Sequence, residues 1–170
     1  MILRSEKTIL RSPSPDDLPY IRKLWADPGT MKDVGGPVVM DEEKSRRWFE
    51  RMVDPGSATD RYFLICGADG NPLGEASFHR YDPVTKTAEL NIKIEAGKRY
   101  LGHGPEGLRL LLNYFFGEFG GEMMLDPIAF NNTNGLKAIK RFGFELDYSR
   151  KDVFMLKMAK QRFYMLFKEG

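Results

Sequence analysis

The ten residues Glu95-Ala96-Gly97-Lys98-Arg99-Tyr100-Leu101-Gly102-His103-Gly104 constrain the fold more than any other part of this sequence. They follow Thr87–Ile94, whose alternation of polar and apolar residues predicts a strand. They precede Leu108, Leu111, Leu112 and Phe115, which recur at the i, i+3, i+4, i+7 spacing of a helix. That helix is expected to start at Gly104, to run for about 14 residues and to stop at Gly117. A strand-loop-helix junction presents unpaired backbone N–H groups and the positive end of a helix dipole, which together cradle phosphate. Gly102 and Gly104 allow the backbone to approach such a group closely, and Pro105, lacking an N–H, suits the first helical turn.

Upstream, Lys7–Arg11 reads as a short strand. Ser14 suits a helix cap and Pro15 the first helical position, so a helix is expected to run to about Trp25. Asp27-Pro28-Gly29 and Gly35-Gly36-Pro37 make Ala26–Val39 an irregular loop. Asp41–Val53, with an acidic first turn and Trp48, Phe49 and Met52 on one face, predicts a second helix. Tyr62–Gly67, Leu73–Tyr81 and Thr87–Ile94 form an antiparallel meander, the first two joined across Asp69-Gly70-Asn71. After the glycine-loop helix, Glu118–Glu122 is a turn, Met123–Ala129 a strand and Asn134–Phe142 a short helix. Phe144–Tyr148 and Val153–Met158 are strands, and Lys160–Gly170 is a last helix. Residues 1–170 fit one domain of the α/β (α+β) class. Its core is a mixed, mostly antiparallel central sheet of about six to seven strands flanked by helices.

Twenty-six Lys and Arg stand against 24 Asp and Glu, interspersed without a basic stripe, which disfavours nucleic acid as a partner. No apolar run is long enough to span a membrane. Cys66 is the only cysteine and the N-terminus lacks a secretory apolar run, so a cytoplasmic protein without a disulfide framework is expected. His79 and His103, with one cysteine, give no metal-ligand spacing.

Gly102, Gly104 and Gly107 also spell G-x-G-x-x-G, the dinucleotide fingerprint. In a dinucleotide-binding unit the first glycine follows its strand almost directly, whereas about seven residues separate Ile94 from Gly102. The upstream strands are antiparallel besides, so a nicotinamide cofactor is the weaker reading, and a plain turn and helix cap remains a third. The order of strand, two helices, three antiparallel strands, glycine loop, helix, strand, helix and two strands resembles the GNAT superfamily of acyl-CoA-dependent N-acyltransferases over almost the whole chain. Arg99-x-x-Gly102-x-Gly104 matches that family's R/Q-x-x-G-x-G/A motif. Asn132-x-x-Gly135 with Arg141-Phe142-Gly143-Phe144 is similar to its Asn, short helix and terminal Gly-Phe. Ala88-Glu89-Leu90-Asn91-Ile92 resembles the branch that includes the ribosomal-protein N-terminal acetyltransferases.

The resemblance implies acetyl-CoA as co-substrate and an amine of a small molecule or peptide terminus as acceptor, attacked directly in a ternary complex. It implies that backbone N–H groups of Leu101, Gly102, His103 and Gly104 bind the coenzyme A pyrophosphate, with Arg99 supporting the loop. The main chain of a splayed strand end, Asn91 to Ile94, would pair with the pantetheine arm through Ile92 and Ile94, and Asn132 would contact the same arm. Without the family pattern, Arg99 is equally a surface arginine and Asn132 a helix cap.

An amine with a pKa of about 10.4 must lose a proton before attack, and Glu89, on the strand leading to the loop, is the first candidate base or, equally, a solvated strand residue or ion-pair partner. The backbone N–H of Ile94 is the candidate for stabilising the charge that builds on the thioester oxygen. The leaving thiolate, with a pKa of about 8.5, needs only modest acid help. Where many relatives carry a tyrosine acid, or a serine four residues earlier, this chain has Ile139 and Gly135. Water, Tyr114 or Tyr148 would then serve, or the protein is a non-catalytic acyl-CoA-binding or sensing module. Cys66 has no neighbouring base, so no acyl-enzyme is expected. His79 either faces the substrate or is a plain surface histidine, and the N–H of His103 matters more than its ring. Asp126-Pro127 reads as a strand-closing turn, its Asp otherwise a ligand for a cationic acceptor. The resemblance places the acceptor beside Ala26–Pro37 and the first two helices. There Asp27, Asp33, Glu42 and Glu43 either attract a cation or are ordinary loop and helix-start acids. A homodimer is compatible with all of this.

Overall fold

A computed structural model describes residues 1–167. The chain runs through β1 (Ile2–Arg4), β2 (Thr8–Arg11), α1 (Leu18–Ala26), α2 (Pro28–Met31) and α3 (Glu42–Met52). The meander β3 (Arg61–Gly67), β4 (Pro72–Asp82) and β5 (Thr87–Ile94) follows, then α4 (His103–Tyr114), β6 (Met123–Ala129) and α5 (Thr133–Phe142). β7 (Glu145–Arg150), β8 (Val153–Ala159) and α6 (Lys160–Leu166) complete it. The strands form one sheet of eight in the order β1-β2-β3-β4-β5-β6-β8-β7. Every neighbouring pair is antiparallel except β5 and β6, which α4 connects.

The mixed, mostly antiparallel sheet is as expected, with one strand more than the upper count. The addition is β1, three residues on the edge beside β2, too short for its sequence to show a period. Within the expected loop, Pro28–Met31 closes one helical turn because the Asp27 carboxylate accepts the Thr30 N–H. Gly117 does not stop the glycine-loop helix. The chain continues through a wider turn, Phe115–Phe119, and ends at Gly120 in the left-handed region at φ 96°. Phe115 and Phe119 each lie 4.9 Å from the Phe78 ring, and this aromatic packing holds the extra turn. The last expected helix is present to Leu166, and its final residues, 168–170, lie outside the described residues.

Alternation along the strands sends side chains to two cores. Phe63, Ile65, Ala76, Phe78, Ala88 and Leu90 face α4 and join Leu108, Leu111 and Leu112. Tyr62, Leu64 and Cys66 face the other way, against Ile21 of α1 and Trp48 and Phe49 of α3.

The registers on the two sides of β6 are unequal. β5 pairs with β6 only over Thr87–Glu89 against Met123–Leu125, whereas β6 pairs with β8 along all of Met123–Ala129. β6 therefore follows β8, and from Leu90 to Ile94 the β6 side of β5 has no strand partner. On its other side, β5 is drawn close to β4 at Gly74, where a Cβ would stand 2.3 Å from the Lys93 carbonyl oxygen. Gly74→Ala is expected to destabilise the fold by about 1–3 kcal/mol, read as a lower urea midpoint with an unchanged slope.

Candidate active site

Along an antiparallel ladder, residues alternate between exchanging hydrogen bonds with their partner and pointing those groups away. Glu95 N–H donates to the Leu73 carbonyl at 2.9 Å, so the bonded pairs continue through Lys93 and Asn91. Ile92 and Ile94 lie between them, and their N–H groups point to the side that β6 has left. The Ile94 carbonyl is taken by Arg99 Nε at 3.2 Å, while Arg99 Nη2 donates to the Thr30 carbonyl at 2.9 Å. Ala96 N–H donates to Thr30 Oγ1 at 3.1 Å. The short helix α2 thus braces the strand end and the start of the loop, with Arg99 as the strut.

Beyond Arg99 the loop is exposed at Tyr100 and Leu101, and Gly102 precedes α4 at φ 89°, a conformation open to glycine. No side chain caps this helix start, so the N–H groups of its first turn stay available. His103 Nδ1 lies 2.9 Å from Thr8 Oγ1, which pins the start of α4 to β2 and assigns the ring a structural contact. Asn132, just past the end of β6, caps α5 by accepting the Gly135 N–H on Oδ1 at 2.9 Å. Its Nδ2 makes no hydrogen bond among the described residues.

On the sheet face away from α4, Glu89, Asn91 and Lys93 stand in line along β5. Glu89 Oε2 meets His79 Nε2 at 3.2 Å and Arg80 at 3.5 Å, leaving Oε1 without a partner among the described residues. Further along, a network absent from the sequence reading surrounds Glu75, which is 1% exposed. Lys93 Nζ donates to Glu75 Oε1 at 2.9 Å and to Asn91 Oδ1 at 2.9 Å, Trp25 Nε1 donates to Glu75 Oε2 at 2.8 Å, and the Tyr62 hydroxyl also donates to Glu75. Burial, reinforced by the adjacent Glu75, holds the Tyr62 hydroxyl well above the usual tyrosine range. The only sequence signal for this network was a charged residue in each of two adjacent strands, and their facing positions needed the register.

Asp126 departs most from its sequence reading. It lies within β6 and is no turn, 9% exposed, and it has no hydrogen bond or ion pair among the described residues. Desolvation pushes its carboxyl up to about 8. Because the fold favours the protonated form, this group costs stability progressively as pH rises from the ordinary carboxyl range towards that value.

Other candidates are not gathered here. Tyr114 is buried among Phe63 and Phe78 and accepts from Arg61 Nε at 3.3 Å, and Tyr148 is exposed on the outermost strand, two strands from β6. Ile139 is in the core. The Asp27 carboxylate is occupied by Thr30, which lowers its pKa, and Glu43 lies 3.4 Å from Arg47. Cys66 is buried and its thiol is raised by desolvation, which suits packing and not nucleophilic attack.

A mixed sheet parted beside an uncapped helix start, with a glycine loop between, is the arrangement that the resemblance to acyl-CoA-dependent transferases implies. Residues 7–145 match the family described as "Acetyltransferase (GNAT) domain", and the chain belongs to that family. It is an acyltransferase whose co-substrate is acetyl-CoA. No curated protein matches it by sequence. Among solved structures it is similar to the spermidine N-acetyltransferase from Vibrio cholerae in complex with CoA and spermine. The TM-score is 0.83 at 15% identity, covering 94% of this chain and 99% of that one. It is also similar to a GNAT-family acetyltransferase from Bacillus anthracis, with a TM-score of 0.77 at 16% identity, covering 95% and 99%. At these identities the likeness is one of fold.

Lys93→Met is expected to leave Glu75 buried without its counter-ion and to cost about 3–5 kcal/mol, measured by chemical denaturation. Lys93→Met combined with Glu75→Gln is expected to recover most of that loss.

Proposed function

We propose that residues 1–170 form one N-acetyltransferase domain that passes the acetyl group of acetyl-CoA to a primary amine of a small molecule or peptide terminus, by direct attack in a ternary complex. The observation that carries this is the unpaired edge of β5, whose Ile92 and Ile94 N–H groups point to the side that β6 has left, beside the uncapped start of α4. In this reading the pyrophosphate rests on the backbone N–H groups of Leu101, Gly102, His103 and Gly104, and the pantetheine arm runs along the β5 edge. Asn132 meets the arm from the β6 side through Nδ2, and Arg99 acts indirectly by bracing the strand end. The N–H of Ile94 faces the thioester oxygen as negative charge builds there. Glu89, through its unpartnered Oε1, takes the amine proton directly or through one water.

Two acceptor classes lead. Polyamines are favoured by the Vibrio cholerae structure solved with spermine, and a peptide terminus by the resemblance of Ala88–Ile92 to the ribosomal-protein branch. Glu75 is already neutralised by Lys93, so a cationic acceptor meets Glu89 as the carboxylate with a free oxygen. A cytoplasmic setting and a homodimer belong to the same reading. Leu146 and Tyr148, exposed on the edge strand β7, offer a surface for the latter. A second reading, an acyl-CoA-binding module without catalysis, is favoured by the apolar Ile139 and by Gly135 at the family's acid positions.

Calorimetric titration is expected to show binding of acetyl-CoA and none of NADH. Thiol release is expected with at least one member of a panel of spermidine, spermine, lysine and N-terminal peptides. Glu89→Gln should then lower kcat by about 10²–10⁴-fold while the affinity for acetyl-CoA stays within about twofold. Binding without thiol release across the whole panel favours the second reading.

A further inference from the structure

We infer that Thr30 is a positioning residue for acetyl-CoA: its hydroxyl and its carbonyl clasp the turn that leads from β5 into the glycine loop, and so hold the Ile94 edge and the loop start in the form that receives the coenzyme. The inference rests on the acetyl-CoA placement proposed above and adds to it a residue of α2.

The Thr30 hydroxyl is bonded on both of its sides. The residue is 2% exposed. Its O–H donates to Asp27 Oδ2, and its N–H donates to the same oxygen at 3.1 Å. The Thr30 hydroxyl holds the Asp27 carboxyl below the usual carboxylate range, so at neutral pH that group only accepts. The O–H proton is therefore committed to Asp27, and a lone pair of Oγ1 is left to accept the Ala96 N–H at 3.1 Å. A hydroxyl can make both bonds and a methyl group neither. Capping α2 needs only the Thr30 N–H, so the bond to Ala96 serves the turn.

At the turn, three successive backbone groups are fixed. The Ile94 carbonyl accepts from Arg99 Nε at 3.2 Å, the Glu95 N–H donates to the Leu73 carbonyl at 2.9 Å, and the Ala96 N–H meets Thr30. Lys98 N–H then donates back to the Glu95 carbonyl at 2.8 Å, and Arg99 Nη2 reaches the Thr30 carbonyl at 2.9 Å. Thr30 is thus bonded on both sides of the turn, to residues 66 and 69 positions away in the chain. A Cβ placed on Gly29 would stand 3.4 Å from the Ala96 Cβ, so the backbone of α2 lies directly against the turn.

From Arg99 to His103, which is joined to Thr8, residues 100–102 have no side-chain hydrogen bond among the described residues. The loop is held at its two ends, and Thr30 supplies the first hold. Ala96 is exposed, so without the Thr30 hydroxyl its N–H turns to water and the turn loosens while the core stays packed. A loop ordered before the coenzyme arrives binds without an ordering cost, whereas a loosened one meets that cost on binding and loses affinity.

The test is calorimetric titration of acetyl-CoA into the full-length wild type, Thr30→Val and Thr30→Ser, with the urea midpoint of each recorded. Thr30→Val keeps a similar shape and the carbonyl but removes both hydroxyl bonds, and is expected to raise Kd by about 3–10-fold. Thr30→Ser keeps the hydroxyl and is expected to stay within about twofold of wild type. Thr30→Ala reads the same loss if the valine variant does not fold. Calorimetry reads the inference whether or not an amine of the panel is turned over, and where one is, KM for acetyl-CoA should rise with Kd. A folded Thr30→Val or Thr30→Ala with wild-type affinity overturns the assignment, whatever its urea midpoint, and leaves the transferase reading standing. So does a Thr30→Ser that binds as weakly as Thr30→Val. Wild type that binds no acetyl-CoA overturns both.

Discussion

The parting of β5 from β6 is the constraint on which the rest of the structure depends. Three parallel pairs join these strands, while seven antiparallel pairs hold β6 to β8, so the longer ladder decides where β6 goes. A buried strand edge is normally a fault, because unpaired N–H and C=O groups lose their hydrogen bonds to water. Here the fault is limited and braced. The Ile94 carbonyl is satisfied by Arg99, which is itself held by the Thr30 carbonyl, and the N–H groups of Ile92 and Ile94 are left without a strand partner.

The same strand separates two chemistries. Its even-numbered residues Ala88, Leu90, Ile92 and Ile94 pack towards α4, where the surroundings are apolar and carry Asp126 as a lone carboxyl. Its odd-numbered residues Glu89, Asn91 and Lys93 project to the opposite face, into a hydrogen-bonded network with His79, Glu75 and Trp25. A carboxyl thus stands on each face near the point where the strands part, Glu89 contacted by basic groups and Asp126 by none.

Local pattern made most elements legible. The two-residue period of Thr87–Ile94 and the helical spacing of Leu108, Leu111, Leu112 and Phe115 name their elements because one face of each must be buried. The helix over Glu42–Met52 was equally plain from its Asp41 cap and acidic first turn. Where local rules failed, packing had overruled them. Gly117 looked like a stop, but the rings of Phe115 and Phe119 against Phe78 hold one more turn. Asp126-Pro127 looked like a turn, but strand pairing with Leu156 and Met155 carries both residues through the middle of β6.

The sequence by itself determined the order of most elements, the place of the glycine loop Arg99–Gly104 between a strand and a helix, and the resemblance to the acyl-CoA-dependent class, because each rests on short stretches of neighbouring residues. Only the tertiary structure decided that β5 and β6 part after Glu89 and Leu125, that Lys93 neutralises Glu75 and that Asp126 is buried alone. Periodicity fixes which face a side chain takes, but not which distant strand lies beside it. Register between segments tens of residues apart is set by the packing of the whole core, and the charges and protons of the site follow from that register.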